Sequence, residues 1–137
     1  MAREIETKCI HLEEEENSIN HYGAISYPIY QSATYAHPGV GQSTGYDYSR
    51  LQNPTREHLE KTVASLENGI NALAFSSGMA AITLMMELFK PGDHLIVDAD
   101  LYGGSIRLFN HVSEKNGIEF SSVDCHKKNV AAYISVV

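Results

Sequence analysis

Three short stretches carry the residue types from which a small-molecule site is built. The first is Ser76-Ser77-Gly78-Met79, between a short apolar run and a segment of helical content. A glycine at such a junction lets the backbone turn sharply. The N–H groups of Gly78 and Met79 can then point at an anion, with the helix dipole adding to the attraction. The second is Asp98-Ala99-Asp100-Leu101-Tyr102-Gly103-Gly104-Ser105, which puts Tyr102 on a Gly-Gly turn where its ring can stack on a planar cofactor. The third is Tyr46-Asp47-Tyr48-Ser49-Arg50-Leu51-Gln52-Asn53-Pro54-Thr55. Here Arg50 can grip a phosphate with two N–H groups, and Tyr48 can donate a further hydrogen bond. Each stretch also has a plainer reading. Gly78 can serve close packing, Tyr102 can cover the end of a sheet, and Arg50 and Tyr48 can be a surface cation and a packing residue.

The elements that would hold these loops are legible from periodicity. Asn53-Pro54 is an N-cap followed by a first helical residue. Leu59, Val63 and Leu66 then fall on one helical face, and Asn68-Gly69 supplies a stop. Residues 72–75 form a short apolar run, read as a buried strand, and 78–89 return to helical content. Lys90-Pro91-Gly92-Asp93 is a turn, 94–98 the next strand, 105–115 the next helix closed by Asn116-Gly117, and 118–123 a third strand. Helices alternating with short β-branched strands predict an α/β layer with a mostly parallel sheet. In such layers ligands bind beyond the carboxyl ends of the strands, where the first two loops fall.

Residues 1–52 are different. They lack sustained periodicity and hold six of the eight tyrosines, among Gly, Ser, Pro and Gln. So aromatic a stretch is too apolar for simple disorder and needs a surface to lie on, which another subunit can supply. The acidic run 13–16 reads as a solvated turn or helix end. The expected organisation is an N-terminal arm over 1–52, a partial α/β domain over 53–124 and a distinct tail over 125–137.

Composition narrows the functional classes. A net charge of −7 argues against nucleic acid or an anionic membrane surface as partner. No apolar run is long enough to span a bilayer, and the acidic N-terminus does not read as a secretory signal, so a cytoplasmic location is expected. Cys9 and Cys125 lie far apart in the sequence, which suits two free thiols. The seven histidines are scattered, and no metal site is expected.

Taken together, Tyr48-Ser49-Arg50-x-x-Asn53-Pro54-Thr55, Ser77-Gly78-Met79-Ala80-Ala81 and Leu101-Tyr102-Gly103-Gly104-Ser105 resemble, in order and spacing, the Cys/Met-metabolism enzymes that use pyridoxal 5'-phosphate (PLP). That family includes cystathionine γ-synthase, cystathionine γ- and β-lyases, methionine γ-lyase and the O-acylhomoserine sulfhydrylases. The motifs carry the resemblance from about residue 10 to about residue 124. It implies the start of a PLP-transferase domain of the aspartate aminotransferase type, in a homo-oligomer that is a dimer of dimers in the family. It also implies that Tyr48 and Arg50 reach the cofactor phosphate of a neighbouring protomer, while the amides of Gly78 and Met79 hold the same phosphate from within the subunit. Tyr102 is then the stacking partner of the pyridine ring, and its phenol assists proton transfer. PLP serves as an electron sink that stabilises carbanions at Cα and Cβ.

Gly103-Gly104-Ser105-Ile106-Arg107 resembles the G-G-[ST]-x-R stretch of γ-synthases and γ-lyases, whereas methionine γ-lyases carry cysteine where Gly104 stands. Arg107 is therefore a candidate for a substrate carboxylate, against the plainer reading of an exposed helix cation. The expected substrates are cystathionine or an O-acylhomoserine. The stretch 125–137 departs from the family pattern, and the S-x-[TS]-K motif of the Schiff-base lysine is not among the 137 residues. Two expectations follow. One is a trans-sulfuration enzyme represented by its N-terminal portion, with methionine γ-lyase or O-acylhomoserine sulfhydrylase as alternatives within the family. The other is a truncated, non-catalytic fragment that folds or self-associates and at most binds phosphate.

Overall fold

A computed structural model of the protein describes residues 4–10, 24 and 26–126. The acidic run 13–16 and all but the first two residues of the stretch 125–137 lie outside the described residues. The chain falls into two units, residues 1–74 and 75–137.

In the first unit, helix α1 (Ile5–Ile10) lies against helix α2 (Pro54–Leu66). Both ends of α2 follow from local chemistry. Asn53 is extended (φ −144°, ψ 132°), and its side-chain oxygen accepts from the Thr55 N–H at 2.9 Å, with Pro54 opening the helix. At the other end Asn68 takes a left-handed backbone (φ 54°), and the Gly69 N–H returns to the Ala64 carbonyl at 2.8 Å. That is the Schellman closure, with asparagine in the place glycine usually takes. The stripe of Leu59 and Val63 stays exposed, and the buried positions on α2 are Pro54 and Ala64.

The described part of the arm folds onto this same unit. Segments 33–35 and 47–49 run antiparallel, tied by Tyr35 N to Asp47 O (3.2 Å) and Ser49 N to Ala33 O (2.9 Å). The arm also engages α2 directly. Tyr27 stacks on His58 with ring centroids 4.0 Å apart, the Tyr30 N–H donates to Thr55 Oγ1 at 2.8 Å, and the Tyr46 hydroxyl donates to Glu57. Part of the surface that the aromatics require is therefore this helix of the chain itself.

The second unit holds the α/β layer. Helix α3 (Gly78–Met86) is followed by strand β1 (His94–Asp98), helix α4 (Gly103–Leu108), a π-helical turn (Phe109–Ser113) and strand β2 (Glu119–Val123). β1 and β2 pair in parallel, from His94 opposite Glu119 to Asp98 opposite Val123. Parallel neighbours need a long crossover, and α4 with the π-turn provides it. Gly92 and Gly117, both at positive φ (95° and 77°), shape the entries to the two strands, and the Gly92 N–H donates to the Gly117 carbonyl at 2.7 Å. The core is small. It consists of Phe109, Ile118 and Val123, with the Phe109 and Phe120 rings 5.9 Å apart, and the buried residues Ser105 and Ser113 lie on the crossover.

The α/β class with a parallel sheet is as expected, but one expected strand is absent and several boundaries differ, β2 beginning at Glu119 and not at 118. Residues 72–75 form no strand and pair with no other segment of backbone among the described residues; the Ala74 N–H donates to a side chain instead, Glu60 Oε1 at 2.9 Å. The helix expected over 78–89 ends at Met86, where Leu88 N to Met85 O and Phe89 N to Met86 O tighten the chain into turns. The helix expected over 105–115 begins at Gly103 and widens after Leu108, where Glu114 N reaches back five residues to Phe109 O. Among the described residues no helix is long and apolar enough to cross a membrane.

Candidate functional site

Tyr48 and Arg50 sit in the first unit, at the end of the antiparallel segment 47–49. The Arg50 guanidinium carbon stands 5.2 Å from the centroid of the Tyr48 ring, a cation–π arrangement that keeps the N–H edges of a flat cation available. Two residues that sequence reasoning did not single out as site residues hold this loop. Arg56, on α2, donates from Nη1 to the Ser49 carbonyl at 3.2 Å and to the Arg50 carbonyl at 3.4 Å, and from Nη2 to the Leu51 carbonyl. Its Nε lies 3.6 Å from Glu60 Oε1. Asn53, beyond capping α2, directs its NH2 group at the Tyr30 carbonyl (3.0 Å), Ser49 Oγ (3.0 Å) and Tyr35 Oη (3.2 Å). The N-cap was readable from Asn-Pro, but the long-range partners of the same side chain carry no local signal.

Beside this loop Glu57 is shared. It accepts from the Lys61 ammonium at 2.7 Å and from the Tyr46 phenol. The Lys61 contact first, and the Tyr46 hydrogen bond second, hold the Glu57 carboxyl below its usual range. Burial, and then the same carboxylate, push the Tyr46 phenol well above the ordinary tyrosine range. Tyr46 is thus a structural donor that keeps its proton.

Gly78, Met79, Tyr102 and Arg107 sit in the second unit. Ser77 is extended (φ −156°, ψ 156°) and caps α3 by accepting from the Ala80 N–H at 3.1 Å. The N–H groups of Gly78 and Met79, in the first turn, have no acceptor among the described residues. A Cβ added at Gly78 would meet nothing within 4 Å, so the space beside these donors is open. Such a pair of donors at a helix start suits one anionic group such as a phosphate.

The loop after β1 begins with an Asx turn, in which the Asp98 side chain accepts from the Asp100 N–H at 2.9 Å. That bond first, and the Cys125 thiol second, hold the Asp98 carboxyl below its usual range, and the carboxylate in turn raises the thiol. Cys9 and Cys125 are both free and exposed. Tyr102 precedes α4, and its carbonyl accepts from the Ser105 N–H at 2.9 Å while the residue is 73% exposed. Met79 and Tyr102, from different loops, meet around Gly104. Arg107 lies further along α4, exposed, with Nε 3.4 Å from the Gly103 carbonyl one turn back. Among the described residues no group of three or more His, Cys, Asp or Glu side chains could hold a metal ion.

Comparison with known proteins bears on what this arrangement serves. Residues 6–136 match the family described as Cys/Met metabolism PLP-dependent enzyme. The matched span takes in residues 125–136, beyond the stretch on which the three motifs sit. Over 135 residues the chain is 47% identical to a cystathionine gamma-synthase/O-acetylhomoserine (thiol)-lyase of Bacillus subtilis, covering 95% of this chain and 36% of that protein. It is 46% identical over 126 residues to a cystathionine beta-lyase of Coxiella burnetii, covering 91% of this chain and 32% of that one. Among solved structures, a cystathionine gamma-lyase from Lactobacillus plantarum complexed with L-serine superposes with a TM-score of 0.83 at 41% identity, over 97% of this chain and 34% of that one. The chain therefore spans about a third of the length of these relatives.

Proposed function

The chain belongs to the Cys/Met-metabolism PLP-dependent enzymes, and from that premise we propose that it is the phosphate- and ring-binding portion of a trans-sulfuration enzyme of the cystathionine γ-synthase or γ-lyase type. The observation that carries this reading is the pair of unengaged N–H groups on Gly78 and Met79, at an exposed helix start in the same unit as the exposed Tyr102. A phosphate attached to a flat aromatic ring matches both features. When bound, PLP draws electron density from Cα and Cβ of an amino-acid substrate, so that a γ-substituent can leave or be replaced.

In this reading the Gly78 and Met79 amides bind the phosphate from within the subunit. Arg50 and Tyr48 bind it from a neighbouring protomer of a homo-oligomer, the loop between them braced by Arg56 and Asn53. Tyr102 stacks on the pyridine ring, and its phenol assists proton transfer at the substrate amine. Arg107 receives the substrate carboxylate. Its two terminal nitrogens have no partner among the described residues, which leaves them available for that contact. The γ-type reaction rests on the stretch Gly103-Gly104-Ser105-Ile106-Arg107. Cystathionine or an O-acylhomoserine is the substrate, and the setting is cytoplasmic.

The 137 residues by themselves give no turnover. Their lysines are Lys8, Lys61, Lys90, Lys115, Lys127 and Lys128. Lys61 is engaged with Glu57 on α2, and Lys90 stands in the turn before Pro91. None has the S-x-[TS]-K context. Incubation with PLP, borohydride reduction and peptide mapping should therefore give scattered, substoichiometric lysine labelling and no reaction with cystathionine or O-succinylhomoserine. One fully labelled lysine with turnover would overturn this part. The family role is tested by joining residues 1–124 to the remaining C-terminal sequence of the Bacillus subtilis relative. A chimera that binds PLP and turns over cystathionine, both weakened by Arg50→Ala, supports the reading. A PLP-loaded chimera indifferent to Arg50→Ala removes Arg50 from the site.

A further inference from the structure

We propose that Gly104 and the side chain of Met79 form a seat for the Tyr102 ring, so that both are positioning residues for the aromatic face. The proposal deepens the reading of Tyr102 as the stacking residue and rests on it. A Cβ at position 104 would lie 2.5 Å from Tyr102 Cε1, 3.1 Å from Tyr102 Cδ1 and 2.9 Å from Met79 Sδ. Real Cβ atoms essentially never come within 3.0 Å of a neighbour. The ring edge and the sulfur thus occupy the room that a side chain at 104 would take.

The backbone does not explain this glycine. Gly104 is not among the positive-φ residues, unlike Gly41, Gly45, Gly92 and Gly117, so a side chain there would displace its neighbours without straining the backbone. The two other glycines of the candidate loops behave differently, since a Cβ at Gly78 or Gly103 would meet nothing within 4 Å. The sulfur has a further neighbour. Ser105, only 4% exposed, directs its hydroxyl at Met79 Sδ at 4.0 Å. Thioether–aromatic contacts are attractive, commonly at the ring edge. With one edge on the seat, Tyr102 still leaves 73% of its surface accessible, enough to offer a face to a flat ligand.

A ring held in this way has lost freedom before the ligand arrives, which lowers the ordering cost of stacking. Adding a methyl group at position 104 should expel the ring toward solvent, because the obstructing atoms are the ends of side chains and not backbone. Helix α4 should survive, since alanine is the better helix former.

The test uses the whole chain labelled with 13C-methyl methionine, which gives four methyl signals, with Met79 assigned through Met79→Leu. In the ligand-free protein Tyr102→Leu should move the Met79 methyl by removing the ring current. Gly104→Ala should move it in the same direction, and Gly103→Ala should leave it in place. A Met79 methyl unmoved by Tyr102→Leu, or unmoved by Gly104→Ala, overturns the seat. Titration with PLP should then show several-fold weaker binding to Gly104→Ala than to the parent chain, and equal affinity would overturn its positioning role. If the parent chain takes up no PLP at all, the cofactor reading fails, while the ligand-free spectra still decide the seat.

Discussion

Replacing Gly78 with proline offers a way to delete one backbone donor from the proposed anion site without deleting the helix that presents it. Gly78 is the first residue of α3, and its N–H has no acceptor among the described residues, so a proline there sacrifices no internal hydrogen bond. The residue before a proline must be extended, and Ser77 already is, at φ −156° and ψ 156°. The space around the position is open to a Cβ. Gly78→Pro should therefore leave the thermal midpoint of the chain near its parent value, while a phosphate or PLP loses one charge-assisted donor. Such a bond contributes about 1.5–3 kcal/mol, which corresponds to roughly a tenfold to hundredfold weaker affinity. Gly78→Ala is the reference, since it adds the Cβ but keeps the N–H, and the difference between the two variants isolates the amide. Isothermal titration with PLP and with inorganic phosphate reads the effect. Equal affinities for Gly78→Pro and Gly78→Ala, with both variants folded, would refute the assignment of this amide to the anion.

Three further outcomes follow from the same geometry. Asn53→Ala removes the α2 cap and the contacts to Tyr30 and Ser49 together, so it should lower stability by about 1–3 kcal/mol in urea unfolding, whereas a loss under half a kcal/mol would contradict the bracing role. Glu57 has a depressed pKa in the folded chain, so its contribution is present above the unfolded carboxylate value and lost as pH falls through the folded one. Glu57→Gln should accordingly flatten the decline in urea midpoint between about pH 5 and pH 3, and parallel declines in the two proteins would speak against the Lys61 and Tyr46 contacts. Ile70, Leu73, Leu84, Met85 and Leu88 are exposed apolar side chains, so static light scattering should find dimers or larger species, and a stable monomer would count against that expectation.

What the sequence made legible was chiefly what neighbouring residues decide. The cap at Asn53, the stop at Asn68-Gly69 and the turn at Pro91-Gly92 all depend on local chemistry, and all stand where that chemistry puts them. Residues 72–75 were apolar enough for a strand, but strand formation needs a partner ladder, and Glu60 engages the Ala74 N–H instead. The brace formed by Arg56 around the carbonyls of 49–51, and the closeness of Met79 to Gly104 across 25 residues of chain, are tertiary facts with no periodic signature. The π-helical widening after Leu108 is likewise a packing outcome, with Phe109 and Ser113 both turned inward.

In the proposed site the first-turn amides of α3 bind the phosphate of PLP. An amide-resolved NMR titration of the 15N-labelled chain with PLP, with inorganic phosphate in parallel, tests it most directly. The Gly78 and Met79 N–H signals should move most with both ligands, and PLP alone should also perturb Tyr102. Shifts confined to lysine-bearing segments, with Gly78 and Met79 unmoved at saturation, would contradict it.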